Sequence, residues 1–367
     1  MHFPWCLSKC AYCDFPSRPF PSSASWPAYL DALIREIEAR AQGAVETLYL
    51  GGGTPSMCPP SELARLFAAL SAKVELLPSL EATLEANPAT VSPDALADLR
   101  AVGFNRLSLG VQSTSDRYLQ LLGRRHTAAD AQTTLRGARG AGFANLSVDL
   151  IYGLPGQTFA EFQTDLRTLT AWEPEHISLY ALSVEPGTLL ETAVREGRMP
   201  APDEDLAADM YLWAREFLAG RGFAQYELSN FSRPGRECRH NLGYWTGRDY
   251  FGFGAAAHSF LEGVRSWNIA DPEAYQTEVN REGCALAGQE KLTGSRRVAE
   301  AAMLGLRLTA GLQPEDMRAR FGTDWDLELR GKFEAVSRQG LISMNKDDIR
   351  LTPRGMLLSN VVFREMI

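Results

Sequence analysis

No stretch of this chain approaches the about 20 consecutive apolar residues that a membrane-spanning helix needs. No apolar leader of the signal-peptide kind precedes its first cysteine, Cys6. Basic charge is in deficit, with 37 Lys and Arg against 45 Asp and Glu and a formal net charge of −8. That balance argues against a general nucleic-acid binder, which needs basic surface to displace counterions. Small anionic ligands stay open, because they need only a local positive pocket. A disulfide framework is also missing, since Cys58, Cys238 and Cys284 are scattered. Thiols so placed fit a reducing cytoplasm. The triple glycine Gly51-Gly52-Gly53 has no Gly-Lys-Ser/Thr behind it, which disfavours a phosphate loop.

What is present begins with Cys6-x-x-x-Cys10-x-x-Cys13, three cysteines within thirteen residues. Each iron of a [4Fe–4S] cube needs an outer ligand, usually a thiolate. Three thiolates fill three places and leave one iron open to bind and activate a small molecule. A zinc site and a disulfide are the competing readings. Structural zinc takes four ligands, typically as two spaced pairs, and no second pair follows nearby.

The 367 residues exceed what a single core usually supports, so two domains are expected. Short apolar strands alternate with amphipathic helices up to about residue 230. The expected strands are Thr47–Leu50, Ala82–Glu85, Arg106–Leu109, Leu146–Ile151, His176–Leu182 and Ala224–Leu228. Helices are expected between them, with Ser92 and Thr127 as starts and Gly103, Gly142 and Gly222 as stops. Six or more such units suggest a barrel or a doubly wound sheet. Polar residues recur at the strand ends: Cys13, Gly52, Glu85, Gln112, Asp149 and Ser183. Barrel sites gather at the strands' C-terminal mouth, so this recurrence reads as one ligand met by many loops. Any one of them alone could be a helix cap.

Beyond Gly294 the pattern turns helix-rich. Helices are expected over Arg297–Leu308, Pro314–Phe321 and Leu327–Gln339, then a hairpin of Leu341–Met344 with Asp348–Leu351, then a helix near Arg354–Glu365. Helices followed by a two-stranded wing suggest a winged-helix-like domain. From Ser295 onward twelve Lys and Arg face ten Asp and Glu, too even a balance for a phosphate-binding face. A cover over the barrel mouth is the expected role. The expected division is 1–270, a connecting segment 271–292, and 293–367.

The cysteine triplet with Tyr12 before Cys13, followed by Gly51-Gly52-Gly53-Thr54-Pro55, resembles the radical S-adenosylmethionine (SAM) superfamily. Leu84-Glu85-Ala86-Asn87-Pro88, Ser108–Ser113, Leu122-Gly123-Arg124-Arg125-His126 and Asp149–Pro155 are similar to the oxygen-independent coproporphyrinogen oxidase group. The resemblance spans nearly the whole chain. It implies a partial (β/α)6 TIM-like radical SAM barrel, an α/β fold, with a C-terminal helical winged-helix-like domain. It implies that Cys6, Cys10 and Cys13 hold a [4Fe–4S] cluster whose open iron is chelated by SAM. Tyr12 and the backbone of Gly52, Gly53 and Thr54 would line the methionine end, and Glu85, Gln112, Arg124 and Asp149 would complete the SAM site. Those types suit the task, since carboxylates accept from ribose hydroxyls and arginine grips a carboxylate. Read without the resemblance, Asp149 is equally a helix cap and Arg124 a surface ion pair.

The oxidases of this group carry a fourth cysteine two residues after the third, and an N-terminal arm. Here Phe15 stands at that cysteine's place, and no arm is present. Cys238-Arg239-His240-Asn241-Leu242-Gly243-Tyr244-Trp245 resembles the His-Asn-x-x-Tyr-Trp signature of the HemW branch of heme chaperones. The resemblance implies a protein that binds heme and hands it to apo-proteins, membrane-bound respiratory proteins among them. Imidazole and thiolate are both heme-iron ligands, and Tyr244 and Trp245 offer flat apolar area. His240 is the first choice of ligand and Cys238 the second, with heme as a third cofactor. By pattern alone the segment reads first as an aromatic turn with a hydrogen-bonded histidine, an order that the branch signature reverses, and His258 reads as structural. An electron donor for the cluster, a cluster-controlled homodimer and a cytoplasmic location are the remaining expectations. The alternative function is oxidative decarboxylation of coproporphyrinogen III, and a zinc-binding scaffold is a third. Two departures from the family stand out. The tyrosine that precedes the first cysteine in relatives would fall before Met1, so either translation starts upstream of Met1 or the first strand is shortened to His2–Trp5. Ala255-Ala256 replaces a Pro-Gly common in relatives.

Overall fold

A computed structural model describes residues 1–23, 25–88 and 90–366. The chain packs as two units, the first made of 1–210, 251–259 and 266–289, the second of 211–250, 260–265 and 290–367.

The first unit opens with β1 (His2–Phe3), β2 (Trp5–Cys6), β3 (Arg18–Pro19) and α1 (Ser25–Arg40). Strands and helices then alternate through β4 (Ala44–Gly52), α2 (Pro60–Lys73), β5 (Glu75–Ala86), α3 (Pro93–Val102) and β6 (Arg106–Gln112). After α4 (Asp116–Leu121) and α5 (Ala128–Gly140) come β7 (Leu146–Tyr152), α6 (Phe159–Ala171), β8 (His176–Ala181) and α7 (Leu189–Arg195). Six strands lie in the order β1-β4-β5-β6-β7-β8, and every adjacent pair is parallel. This is the partial (β/α)6 arrangement. All seven residues of β6 are buried, as a strand covered on both faces requires. The Ser92 hydroxyl accepts from the Ala95 amide, and Thr127 with Asp130 forms a complete capping box.

The two residues of β1 suffice because the neighbouring backbone continues the pairing. Phe3 lies beside Gly52, the Gly53 amide donates to the Phe3 carbonyl at 2.6 Å, and the Thr54 amide donates to that of Trp5 at 2.8 Å. Phe3, Trp5, Trp26 and Tyr29 are buried together, with the Trp5 ring 4.9 Å from Trp26 and 5.0 Å from Tyr29. Edge-to-face pairs of this kind contribute about 0.5–1.5 kcal/mol each beyond their buried area. They clamp the strand that leads into Cys6 onto α1. On the same helix, Glu36 is fully buried and accepts from the Gly254 amide, Asn268 Nδ2 and Tyr275 Oη at 2.7–2.9 Å, and from Arg40. The nearby Ala256 has φ 60, a left-handed value that costs a side-chain-bearing residue about 1–2 kcal/mol. A Pro-Gly at this point would place glycine where the turn asks for it.

From α8 (Glu204–Ala219) the chain enters the second unit, with β9 (Ala224–Gln225), β10 (Asn230–Ser232) and α9 (Arg239–Trp245). The continuous strand expected over Ala224–Leu228 is instead a short antiparallel pair, Phe231 opposite Gln225 and Ser232 opposite Ala224. Next come β11 (His258–Leu261), β12 (Val264–Asn268), α10 (Pro272–Glu282) and β13 (Leu286–Lys291). The helical end holds α11 (Gly294–Gly305), α12 (Pro314–Phe321) and α13 (Arg330–Arg338). Then β14 (Ile342–Met344) and β15 (Ile349–Leu351) form the antiparallel wing. The single last helix expected is two, α14 (Pro353–Leu357) and α15 (Ser359–Met366), because Leu358 leaves helical geometry at φ −106, ψ 27.

The packing divides the chain differently from the sequence order, whose expected boundary is 271–292. Leu228 shares a core with Ala302, Leu306, Phe333, Val336 and Val362, and its amide donates to the Arg307 carbonyl at 3.1 Å. The Cys238–Trp245 segment therefore lies in the unit of the C-terminal helices.

Candidate cluster, cofactor and aromatic sites

Cys6 closes β2, and Cys10 and Cys13 sit on the loop that returns to β3, which runs parallel to β2. All three thiols are free and half-buried. The loop is tied down at its middle. The Ala11 amide donates to the Leu122 carbonyl at 3.0 Å, and the Ala11 carbonyl accepts from the Leu190 amide at 2.8 Å. Gly123 makes room for this contact, since a Cβ there would stand 3.2 Å from the Ala11 nitrogen. Burial pushes the Cys13 thiol up, opposed by the Phe15 backbone. Among the described residues no three His, Cys, Asp or Glu side chains converge on a single metal ion. Thiolates of a cubane sit on separate irons, so three cysteines spread along one loop suit that group.

Beside this loop lie two hydrogen-bonded groups, one around Glu85 and one around Arg124, and the charge of Asp149 couples to both. Gly52, Glu85 and Gln112 lie at or one residue before the C-terminal ends of the adjacent strands β4, β5 and β6, and Asp149 is the central residue of the next strand, β7. Glu85 accepts from the Gly52 amide at 3.1 Å and from Tyr49 Oη at 2.7 Å. Burial pushes the Glu85 carboxyl up, and those two donors hold it back. Arg124 donates to the Gly110 carbonyl at 2.5 Å, to Asn87 Oδ1, and to Cys10 Sγ at 3.5 Å. Asn87 in turn donates to Thr54 Oγ1 at 2.8 Å. Burial pulls the Arg124 guanidinium down, but Tyr12, Cys10 and Asp149 outweigh it and hold the group above its ordinary value. Burial raises Tyr12 strongly, against the pull of Arg124. The Asp149 carboxyl is pushed up to about 7, first by burial and then by the Glu85 charge, while Ser178, Arg106 and Arg124 pull it back.

Gln112 has φ 69, a left-handed value that strains the backbone of a residue with a side chain. A Cβ on Gly110 would meet Gln112 Nε2 at 2.9 Å and Arg124 Nη2 at 3.1 Å, so glycine is what lets these groups converge. Gly53 is equally constrained, since a Cβ there would stand 2.4 Å from the Trp5 carbonyl oxygen. The structure thus brings Tyr12, Gly52, Gly53, Thr54, Glu85, Gln112, Arg124 and Asp149 to the side of the cysteine loop. Ser183 stays apart, donating to Glu185 at 2.5 Å. Sequence reasoning passed over Asn87, Tyr49, Ser178 and Gly110. Asn87 lies inside the Leu84–Pro88 motif, and Ser178 stands opposite Asp149 in the sheet register. Only that register reveals its role.

The second unit holds the other candidates. Cys238 precedes α9, with its side chain fully buried and its amide donating to Tyr226 Oη at 3.3 Å. His240 and Tyr244 are one helical turn apart and share a hydrogen bond of 2.9 Å. Tyr244 packs edge-on against Tyr250 with ring centroids 4.7 Å apart. The Arg307 guanidinium lies 4.3 Å over the Trp245 ring, whose buried Nε1 has no hydrogen-bond partner among the described residues. Tyr244 and Trp245 line a cavity of about 240 Å³ within this unit. His258 lies in the first unit, stacked on Trp267 at 6.0 Å.

Residues 1–169 match the model of the Radical SAM superfamily, and residues 292–358 that of the HemN C-terminal domain. The chain is 35% identical to the Heme chaperone HemW of Bacillus subtilis, covering 99% of this chain and 97% of that one. It is 38% identical to the Heme chaperone HemW of Mycobacterium tuberculosis, covering 100% and 94%. For the protein of the same name in Escherichia coli K12 the figures are 33%, 98% and 95%. Among solved structures, coproporphyrinogen III oxidase (HemN) from Escherichia coli superposes with a TM-score of 0.87 at 24% identity. That match covers 100% of this chain and 88% of the other, and the likeness is one of fold.

Proposed function

Because the chain belongs to the HemW family of heme chaperones within the radical SAM superfamily, we propose that it binds heme and transfers it to acceptor apo-proteins. The likeness over the full length to proteins of that name is the observation that carries this reading. The cofactors of the family are a [4Fe–4S] cluster and SAM, with heme as cargo. A cluster with one open iron supplies a docking point for the amino and carboxylate groups of SAM and a source of one electron.

In this proposal Cys6, Cys10 and Cys13 hold three irons, and the ties of Ala11 to Leu122 and Leu190 fix the loop that carries them. Arg124 donates to Cys10 Sγ and to Asn87, and so orients both. The backbone of Gly52, Gly53 and Thr54, beside Tyr12, takes the methionine end. Gln112, Glu85 and Asp149 meet the nucleoside, and ionised Asp149 accepts from a ribose hydroxyl. His240 binds the heme iron through its imidazole, with Tyr244 and Trp245 against the macrocycle. Cys238, buried beneath the start of α9, supports that helix. The acceptors include membrane-bound respiratory proteins, an electron donor serves the cluster, and the chaperone works in the cytoplasm as a cluster-controlled homodimer. Among the described residues no helix is long and apolar enough to cross a membrane.

The test is an anaerobic heme titration of cluster-reconstituted protein, wild type beside His240→Ala, followed by absorbance. Saturation near one heme per chain is expected, with weaker affinity or an altered spectrum in the variant. No saturable binding by the wild type would remove the chaperone reading. Equal spectra and affinities would remove His240 as ligand. A second reading, decarboxylation of coproporphyrinogen III, is favoured by the HemN-like fold but opposed by Phe15 at the fourth-cysteine position. Release of carbon dioxide from that substrate would establish it.

A further inference from the structure

We propose that Arg297 and Arg320 grip the propionate carboxylates of heme at the cavity beside α9, a reading that rests on the heme-binding function proposed above. The cavity lies wholly within the second unit and begins at Tyr244, the hydrogen-bond partner of His240. Its walls carry Trp245, Tyr250 and Phe260, flat apolar faces suited to a macrocycle. Its lining includes Arg265, Arg297 and Arg320, in two different states. Arg265 is neutralised, paired with Glu290 at 2.9 Å and with Glu300. Arg297 and Arg320 form no ion pair among the described residues. Arg320 donates only to the Thr246 carbonyl, at 3.1 Å. Both guanidinium groups lie over the ring of Phe321, at 5.8 Å and 5.0 Å from its centroid.

Two cations held against one ring repel each other. Burial and the charge of Arg297 together hold the Arg320 guanidinium below its ordinary range, with Asp316 offsetting this in part. An anion between them would relieve that repulsion, and a pair of carboxylates would relieve it best, since each guanidinium can fork onto one. Heme offers two carboxylates on one edge of a flat apolar body. The volume, about 240 Å³, is below the range of about 300–1,000 Å³ found for pockets that enclose a drug-sized ligand. Only the propionate edge enters it, and the rest of the macrocycle stays accessible. A carrier that must release its cargo to another protein benefits from partial enclosure.

The discriminating probe is heme dimethyl ester, which keeps the iron and the ring but has no carboxylates. Cluster-reconstituted full-length protein is titrated with heme and with the diester, for wild type, Arg297→Gln, Arg320→Gln and the distant control Arg338→Gln. The wild type and the control should bind heme about tenfold or more tightly than the diester, as expected for losing charge-assisted hydrogen bonds. Each pocket variant should lose most of that preference while binding the diester as the wild type does. Metal-free protoporphyrin IX should keep the dependence on both arginines, since it retains the carboxylates. Equal wild-type affinity for heme and diester overturns the clamp while leaving heme binding standing, and this arm requires no variant to fold. Full preference in both pocket variants overturns it as well. Wild-type binding of neither compound would overturn the heme reading itself.

Discussion

Replacing Asp149 by Asn tests the electrostatics around Glu85 and Arg124 with a defined sign. Burial among β6–β8 and the neighbouring Glu85 raise this carboxyl from an ordinary 3.8 to about 7. Between those values the folded chain holds a proton that the unfolded chain has released. Stability therefore falls as pH rises from about 4 to about 7 and is level above, because the raised value favours the protonated form. At about 1.4 kcal/mol per pH unit the ionised carboxyl costs the fold about 4 kcal/mol at pH 8. Asp149 keeps a partial opening to solvent, which trims the figure to about 2–3 kcal/mol. Asn keeps the shape and removes the ionisation. Urea unfolding of the cluster-free chain should find Asp149→Asn more stable than wild type by about 2 kcal/mol at pH 8, and by less than half of that at pH 5. SAM binding to the reconstituted protein should weaken in the same variant, since the ionised acceptor is gone. Equal or lower stability of the variant at pH 8, or a gap that does not shrink at pH 5, would refute the reasoning.

Arg124→Ala leaves Asn87 Oδ1 and the Gly110 carbonyl without their donor. It should cost about 2–4 kcal/mol and lower the iron and sulfide retained per chain, read by metal analysis beside unfolding. Gly53→Ala drives a Cβ into the Trp5 carbonyl oxygen, a backbone atom that cannot swing away. Calorimetry should find SAM binding lost and stability reduced by about 1–3 kcal/mol. Glu36→Ala strands the Gly254 amide, Asn268, Tyr275 and Arg40 at once. A loss of about 3–5 kcal/mol is expected, measured as a lower urea midpoint with the wild-type slope.

The parallel sheet was legible because strand and helix periods are local, and because Gly52, Glu85 and Gln112 recur at strand ends. Residues that act through register were not. Tyr49 and Ser178 become partners of Glu85 and Asp149 only once the strands are aligned. Glu36 reads as an exposed helix acid until Gly254, Asn268 and Tyr275, more than two hundred residues later, close around it. The same distance effect hid the packing of Leu228 with the C-terminal helices. Arg297 and Arg320 look like ordinary surface charges in sequence, since nothing local says that one phenylalanine ring holds both. The wing hairpin was read correctly to within one or two residues, because turn residues punctuate it.

The tethering of Ala11 to Leu122 and Leu190 has a consequence for the order in which a ribosome can deliver a working protein. The cysteines emerge first, yet the two backbone groups that set their loop emerge much later. At about 5–20 residues per second, Leu190 follows Cys13 by roughly 10–35 s. For that interval the nascent chain exposes three thiols with no fixed geometry, open to oxidation and to stray metals. Stable cluster binding on this loop is therefore expected only once the barrel up to Leu190 has been translated.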